Sequence, residues 1–253
     1  MKGTVDERSK KLAHLFEDYF KAVRDTPGEG MKTTTVPFSR VIPIAEEIEP
    51  ETEILPYEVL KNYLEKIDTI AVSYCYCRHE GDLLGNPCEK PKENCFNFGP
   101  FAKFLADRGF GRLIDKEEAK KIMKEAEEAG LVHCSSNTTD TIGFVCNCCS
   151  CHCGIMRSMQ TTTGVGMAAV SDFIVKLDGE ECTACEACID RCQVKAISMG
   201  DDVVEIDYSL CIGCGLCVST CPTEALSLIV REEKVIPPKD YAELTEAQSA
   251  AFE

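Results

Sequence analysis

Apolar residues recur at helical spacing early in the chain. In "SKKLAHLFEDYFKAV", residues 9–23, Leu12, Leu15, Phe16, Tyr19, Phe20 and Val23 share one face, which predicts an amphipathic helix ended by "TPGEG". "TTTVPFSRVIPI" and the acidic, proline-interrupted stretch behind it predict an extended arm over residues 31–54. A helix is expected at about 57–66, then an apolar strand, "TIAVSY", running into Cys75. A loop carrying Cys88 and Cys95 leads to a helix in "PFAKFLADRG". A stronger helix follows in "DKEEAKKIMKEAEEAGLV", where Asp115 and Glu118 match an N-capping pattern and Gly130 a stop. "TIGFVC" predicts a further strand.

These elements divide the chain. Residues 1–54 form a helix and arm, and 55–160 a mixed helix/strand, cysteine-rich domain whose helices followed by a hairpin resemble a winged helix. Residues 161–171, "TTTGVGMAAVS", read as a small-residue linker. Gly164-Val165-Gly166 is not a dinucleotide loop, because no strand precedes it and Ala169 stands at the last glycine position. A compact domain over 172–231 follows, and then a tail, 232–253, expected to be a disordered end or a partner-docking segment.

From residue 172 the chain repeats itself with an offset of 29 residues. "KLDGEECTACEACIDRCQVKAISM" aligns with "EIDYSLCIGCGLCVSTCPTEALSL", each half reading strand, cysteine loop, short helix, strand. The spacing is C-x2-C-x2-C-x3-C, twice. Three thiolates two residues apart wrap one face of a cubane in a tight loop, and the fourth, at a helix start, reaches the neighbouring cluster. That assigns Cys182, Cys185, Cys188 and Cys221 to one [4Fe–4S] cluster, and Cys211, Cys214, Cys217 and Cys192 to another. Zinc sites favour separate C-x2-C pairs. The region closely resembles the bacterial two-[4Fe–4S] ferredoxins, and the resemblance implies a βαββαβ pseudo-twofold domain moving single electrons at low potential. One departure is that Cys221 precedes Pro222 whereas Cys192 precedes Gln193.

The other ten cysteines lie between Cys75 and Cys153. Cys75-x-Cys77 and Cys146-x-Cys148, each on a strand, would turn their thiols to one face, so two facing pairs could close on one metal site. Cys88, Cys95, Cys149, Cys151 and Cys153 complete the pool, and Cys134 stands apart beside His133. At least one further iron–sulfur cluster is expected here; zinc, a reversible disulfide and purely structural thiols are the alternatives. Arg78 and Arg157 flank the groups and could offset thiolate charge. Of His79, His133 and His152, only His152 is favoured as a ligand over an ordinary core or surface role. Residues 55–231, with "CYCR" and "CNCCSCHC" ahead of the repeat, resemble uncharacterised multi-cluster ferredoxin-type proteins of anaerobes.

Composition narrows the class. Eighteen cysteines in 253 residues, with no apolar signal core and no long apolar run, suit metal ligation in a soluble cytoplasmic protein better than a secreted disulfide scaffold. A formal net charge of -16 argues strongly against nucleic acid and anionic membrane as partners and is compatible with docking onto redox proteins with basic surfaces. No P-loop, serine elbow, metalloprotease pattern or C-x3-C-x2-C set occurs. The expectation is an α+β electron-transfer protein carrying low-potential electrons. The alternative is a subunit of a larger anaerobic oxidoreductase whose N-terminal metal centre is catalytic.

Overall fold

The computed structural model describes residues 3–25, 36–44, 64–65, 67–159 and 168–250. Helices and strands mix throughout, so the class is α+β. α1 (Glu7–Asp25) starts behind Asp6, whose carboxylate accepts from Ser9 N at 2.7 Å. Most of the helix expected at 57–66, the "TPGEG" breaker and the Gly164–Gly166 segment lie outside the described residues.

Seven strands build the main sheet: β1 (Ser39–Ile42), β2 (Ile70–Tyr74), β3 (Glu93–Phe98), β4 (Gly111–Ile114), β5 (Val132–Ser136), β6 (Phe144–Cys148) and β7 (Ala168–Ala169). Their order is β4-β2-β3-β6-β5-β1-β7, antiparallel except for the parallel β1–β7 edge. This replaces the winged-helix shape expected for 55–160. Four of the strands escaped the sequence pattern: β3 was expected as loop, β4 went unrecognised, β5 begins just past the Gly130 stop, and β7 was expected as linker. The first described residues of the expected linker, Ala168 and Ala169, join the sheet as β7.

Between the strands run α2 (Tyr76–Leu83), α3 (Gly99–Asp107), α4 (Lys116–Glu128) and α5 (Gly154–Met159). α4 is capped as expected, with the Asp115 carboxylate accepting from Glu118 N at 2.8 Å. β2, however, ends at Tyr74. Cys75 is the N-cap of α2, so Cys75 and Cys77 do not alternate along a strand.

Strand alternation sorts the sheet into two faces. Ile42, Ile70, Val72, Phe96, Phe98 and Val145 bury against Ala119 and Ile122 of α4. On the opposite face Val41, Val132, Cys134 and Cys148 pack with Cys153, Met156, Ile212 and Leu216. That second core joins the sheet to the repeat region.

The repeat region holds two hairpins: β8 (Phe173–Leu177) with β11 (Leu226–Val230), and β9 (Ile197–Met199) with β10 (Val204–Ile206). α6 (Ala187–Arg191) is its one regular helix among the described residues. The second helix of the expected βαββαβ order is a run of turns over 216–220. Ser219 Oγ and Thr220 Oγ1 both donate to Leu216 O, at 3.3 and 2.9 Å, competing with backbone donors. Pro222 disfavours helical geometry at Cys221. Cys192 closes α6 as its C-cap and does not start a helix, correcting the sequence expectation.

The tail returns to the body. Thr139 N and Asp140 N donate to Pro238 O and Lys239 O, each at 3.0 Å, and α7 (Tyr241–Ala250) buries Leu244. Val235 and Ile236 are exposed, so the apolar "VIPP" stretch is not a packed strand. Within the described residues, no helix is long and apolar enough to cross a membrane.

Candidate metal centres

The eight cysteines of the repeat gather around two cavities. Cys182, Cys185 and Cys188 line the first with Cys221, among Leu177, Val204, Ala225 and Leu226. Cys211, Cys214 and Cys217 line the second with Cys192, among Val175, Val194, Ile197 and Leu228. Each cavity thus takes three sulfurs from one loop and the fourth from the other half. They enclose about 320 and 370 Å3 of atom-free space, part of it open to solvent. Backbone amides are turned on the sulfurs, as in Ala196 N donating to Cys192 Sγ at 3.2 Å. Burial pushes the Cys214 thiol up to about 12; coordination to a metal, which stabilises the thiolate, relieves that cost. Apolar walls, converging thiols and amide donors fit a [4Fe–4S] group in each cavity.

The repeat extends to backbone conformation. Ala184 (φ 54), Glu186 (φ 63) and Lys195 (φ 56) share the left-handed region with Gly213 (φ 67), Gly215 (φ 81) and Glu224 (φ 54), each pair 29 residues apart. Non-glycine residues there cost on the order of 1–2 kcal/mol each, which the loop accepts to aim its thiols. At Gly213 a side chain is also excluded by space, because a Cβ would strike Phe173 O and Ser171 Oγ.

In the N-terminal half the thiols fall into two groups. Cys75 contacts Cys77 and Cys95 through its side chain, and Cys77 contacts Cys153. Cys153 Sγ donates to Cys148 Sγ at 3.1 Å, Cys148 meets Cys146, and Cys146 returns to Cys95. Six sulfurs thus close a ring, drawn from the cap and first turn of α2, β3, β6 and the turn before α5. Cys134 is a seventh, beside Cys148 and not apart as expected, because β5–β6 pairing sets it opposite Cys146. Hydrogen bonds from Cys77 and then Cys95 hold the Cys75 thiol far below its ordinary value. Cys77, Cys95 and Cys146 are pushed up, chiefly by thiol partners and burial.

The second group is Cys88, Cys149, Cys151 and His152, whose ligand atoms lie within 4.8 Å of one another. Arg78 sits between the two groups. It is fully buried, donating to Asn147 O at 2.9 Å, to Asn94 Oδ1 and, at 3.9 Å, to Cys149 Sγ. Its Nε is buried without a partner, and no carboxylate pairs with it among the described residues. Burial opposes its charge, and the sulfurs of Cys75, Cys149 and Cys95 favour it. A buried guanidinium needs an anion; thiolates are what surround this one, and metal binding keeps thiols ionised.

The remaining histidines have other tasks. His79 Nε2 meets Thr4 O at 3.0 Å. His133 Nδ1 meets Asn147 Oδ1 at 2.6 Å, and burial lowers its pKa to about 4, so it is neutral. Asn94 and Asn147, which seat Arg78, were not singled out in the sequence, where an isolated asparagine on a strand carries no signal. Arg157 sits on the short α5, where its backbone N donates to Cys153 O at 2.9 Å, and among the described residues no side-chain hydrogen bond joins it to a thiol.

A family model described as Fer4, 4Fe-4S binding domain, matches residues 204–227, the stretch holding Cys211, Cys214, Cys217 and Cys221. No curated protein matches the chain.

Proposed function

We propose that this chain is an iron–sulfur electron-transfer protein. Residues 172–231 act as a two-[4Fe–4S] ferredoxin domain of the multi-cluster type found in anaerobes, and the N-terminal six-thiol ring holds at least one further cluster. The observation that carries this reading is the exchanged ligand pattern, three sulfurs plus one from the other half around each cavity. Such a cluster, when bound, supplies a centre that accepts and returns one electron with little change in shape.

The chain's own residues give the path an order. Cys214 and Leu216 pack into the core shared with Cys134, Cys148 and Cys153, and Ile44 N donates to Cys214 O at 3.2 Å. The Cys192/Cys211/Cys214/Cys217 site therefore faces the ring. The Cys182/Cys185/Cys188/Cys221 site is distal, with Cys185 exposed and Glu180, Glu181, Glu186 and Asp190 exposed around it. Electrons enter or leave at this acidic rim, which suits a cytoplasmic redox partner with a basic docking surface. Burial of Cys75, Cys134, Cys148 and Cys153 favours a relay centre over a catalytic one open to substrate.

Iron and sulfide counts on anaerobically isolated full-length protein test the reading. About twelve or more irons per chain are expected; about eight would remove the N-terminal cluster and keep the ferredoxin pair. In a Cys214→Ser variant, reduction of the N-terminal centre from an electrode or partner should slow sharply. Unchanged transfer would overturn the order.

A further inference from the structure

We infer that Cys88, Cys149, Cys151 and His152 form a mononuclear zinc site distinct from the iron–sulfur centres. None of these four residues belongs to the six-thiol ring, so the inference deepens the proposed function by separating two kinds of N-terminal centre and stands without it.

The donor set is three thiols and an imidazole, a common structural zinc set. The four ligand atoms cluster within 4.8 Å of one another, and Cys88 Sγ and Cys151 Sγ are 3.8 Å apart. The ring of His152 is oriented for coordination. Its Nε2 donates to Asn86 O at 2.7 Å, which fixes the proton on that nitrogen. Nδ1 is then the lone-pair nitrogen, and it is buried with no hydrogen-bond partner among the described residues. Holding one ring N–H on a backbone carbonyl while the other nitrogen takes metal is the usual outer-shell arrangement. A buried orphaned acceptor otherwise carries only a desolvation penalty.

Charge balance agrees. A zinc ion with three thiolates and a neutral imidazole carries a net charge of minus one. Arg78, 3.9 Å from Cys149 Sγ and lacking a carboxylate partner among the described residues, offsets that charge. Gly81 completes the seat, because a Cβ there would collide with Cδ2 and Nε2 of the His152 ring.

The site draws on two segments distant in sequence. Cys88 comes from the loop after α2 and the others from the turn after β6, and Cys88 and Cys149 pack with Ala126 and Leu131 at the end of α4. The same turn carries Ser150, which binds Gln193 of the repeat region. The zinc clip would fix the turn on which that region docks.

The test is metal analysis of chelator-washed, anaerobically isolated full-length protein, with zinc-edge absorption spectroscopy. About one zinc per chain is expected, with sulfur neighbours at about 2.3 Å and a nitrogen at about 2.0–2.1 Å. Cys151 is exposed, so Cys151→Ser leaves packing intact; it should lose at least nine-tenths of the zinc and keep its iron. His152→Ala should remove the nitrogen shell. Zinc below about a tenth per chain, zinc retained in Cys151→Ser, or iron lost from that variant would each overturn the inference. Missing iron in the wild type with zinc present would instead count against the electron-transfer reading.

Discussion

Gln193 Oε1 accepts hydrogen bonds from both the backbone N and the Oγ of Ser150, each at 3.0 Å. The position is the one at which the second half of the repeat has Pro222, so the departure from symmetry has a use: it ties the first cysteine loop to the N-terminal turn. Arg191 reinforces the contact by donating to Glu128 O at 2.8 Å and to Glu127 O. Gln193→Ala removes two bonds at about 0.5–1.5 kcal/mol each. The expected result is a loss of about 1–3 kcal/mol in chemical unfolding, with the iron count unchanged. No shift in the unfolding midpoint would mean the contact is not formed.

Two equivalent loop positions should respond unequally. Gly213→Ala places a Cβ against Phe173 O and Ser171 Oγ at a left-handed φ. It should cost more than about 2 kcal/mol and displace the loop of Cys211 and Cys214. Ala184→Gly relieves a strained residue at the matching place and should stay within about 1 kcal/mol of wild type. Thermal unfolding of both variants, followed by cluster absorption, checks the asymmetry. Equal effects would contradict it.

Arg78→Met tests whether the buried guanidinium offsets thiolate charge. The substitution keeps bulk, strips Asn147 O and Asn94 Oδ1 of their donor and leaves the sulfurs uncompensated. Breaking a buried charge pair on one side costs about 3–5 kcal/mol. N-terminal metal should be lost while iron held by the repeat-region cysteines persists. Full metal retention would show that the thiolates need no cation.

His133 sets a pH dependence. Burial lowers its folded pKa to about 4, against a weaker opposing hydrogen bond to Asn147. Asn147 Nδ2 is engaged with Asn94 O, so its Oδ1 faces His133 and the imidazole donates from Nδ1. Because the unfolded chain binds the proton near 6.5 and the folded one does not, stability is fully present above that value. It falls as pH drops toward 4, and the loss between pH 8 and pH 5 is about 2 kcal/mol. Urea unfolding of wild type and His133→Gln at both pH values isolates this part, which the variant should lack.

How much of this was legible in the chain differs between its halves. The gathering of the repeat-region cysteines around two cavities follows from spacing, because three of the four sulfurs lining each come from one seven-residue loop. The amphipathic α1 and the capped α4 were legible for the same local reason. Strands β3 and β5 were not, since "ENCFNF" and "VHCSS" mix polar and apolar residues whose burial depends on which neighbours they pair with.

The ten N-terminal cysteines show the limit most clearly. Their number and the presence of paired C-x-C elements could be read directly, but not their division into a six-sulfur ring, Cys134 beside it, and a Cys88/Cys149/Cys151/His152 group. Cys148 and Cys149 are adjacent in the chain yet belong to different groups, because β6 ends at Cys148 and the chain turns. Cys95 joins Cys146 only through the β3–β6 register, and Cys134 meets Cys148 only through β5–β6 pairing. Spacing dictates a site when one short loop supplies most of its ligands; where strands and turns distant in sequence supply them one at a time, register and packing decide which thiols meet.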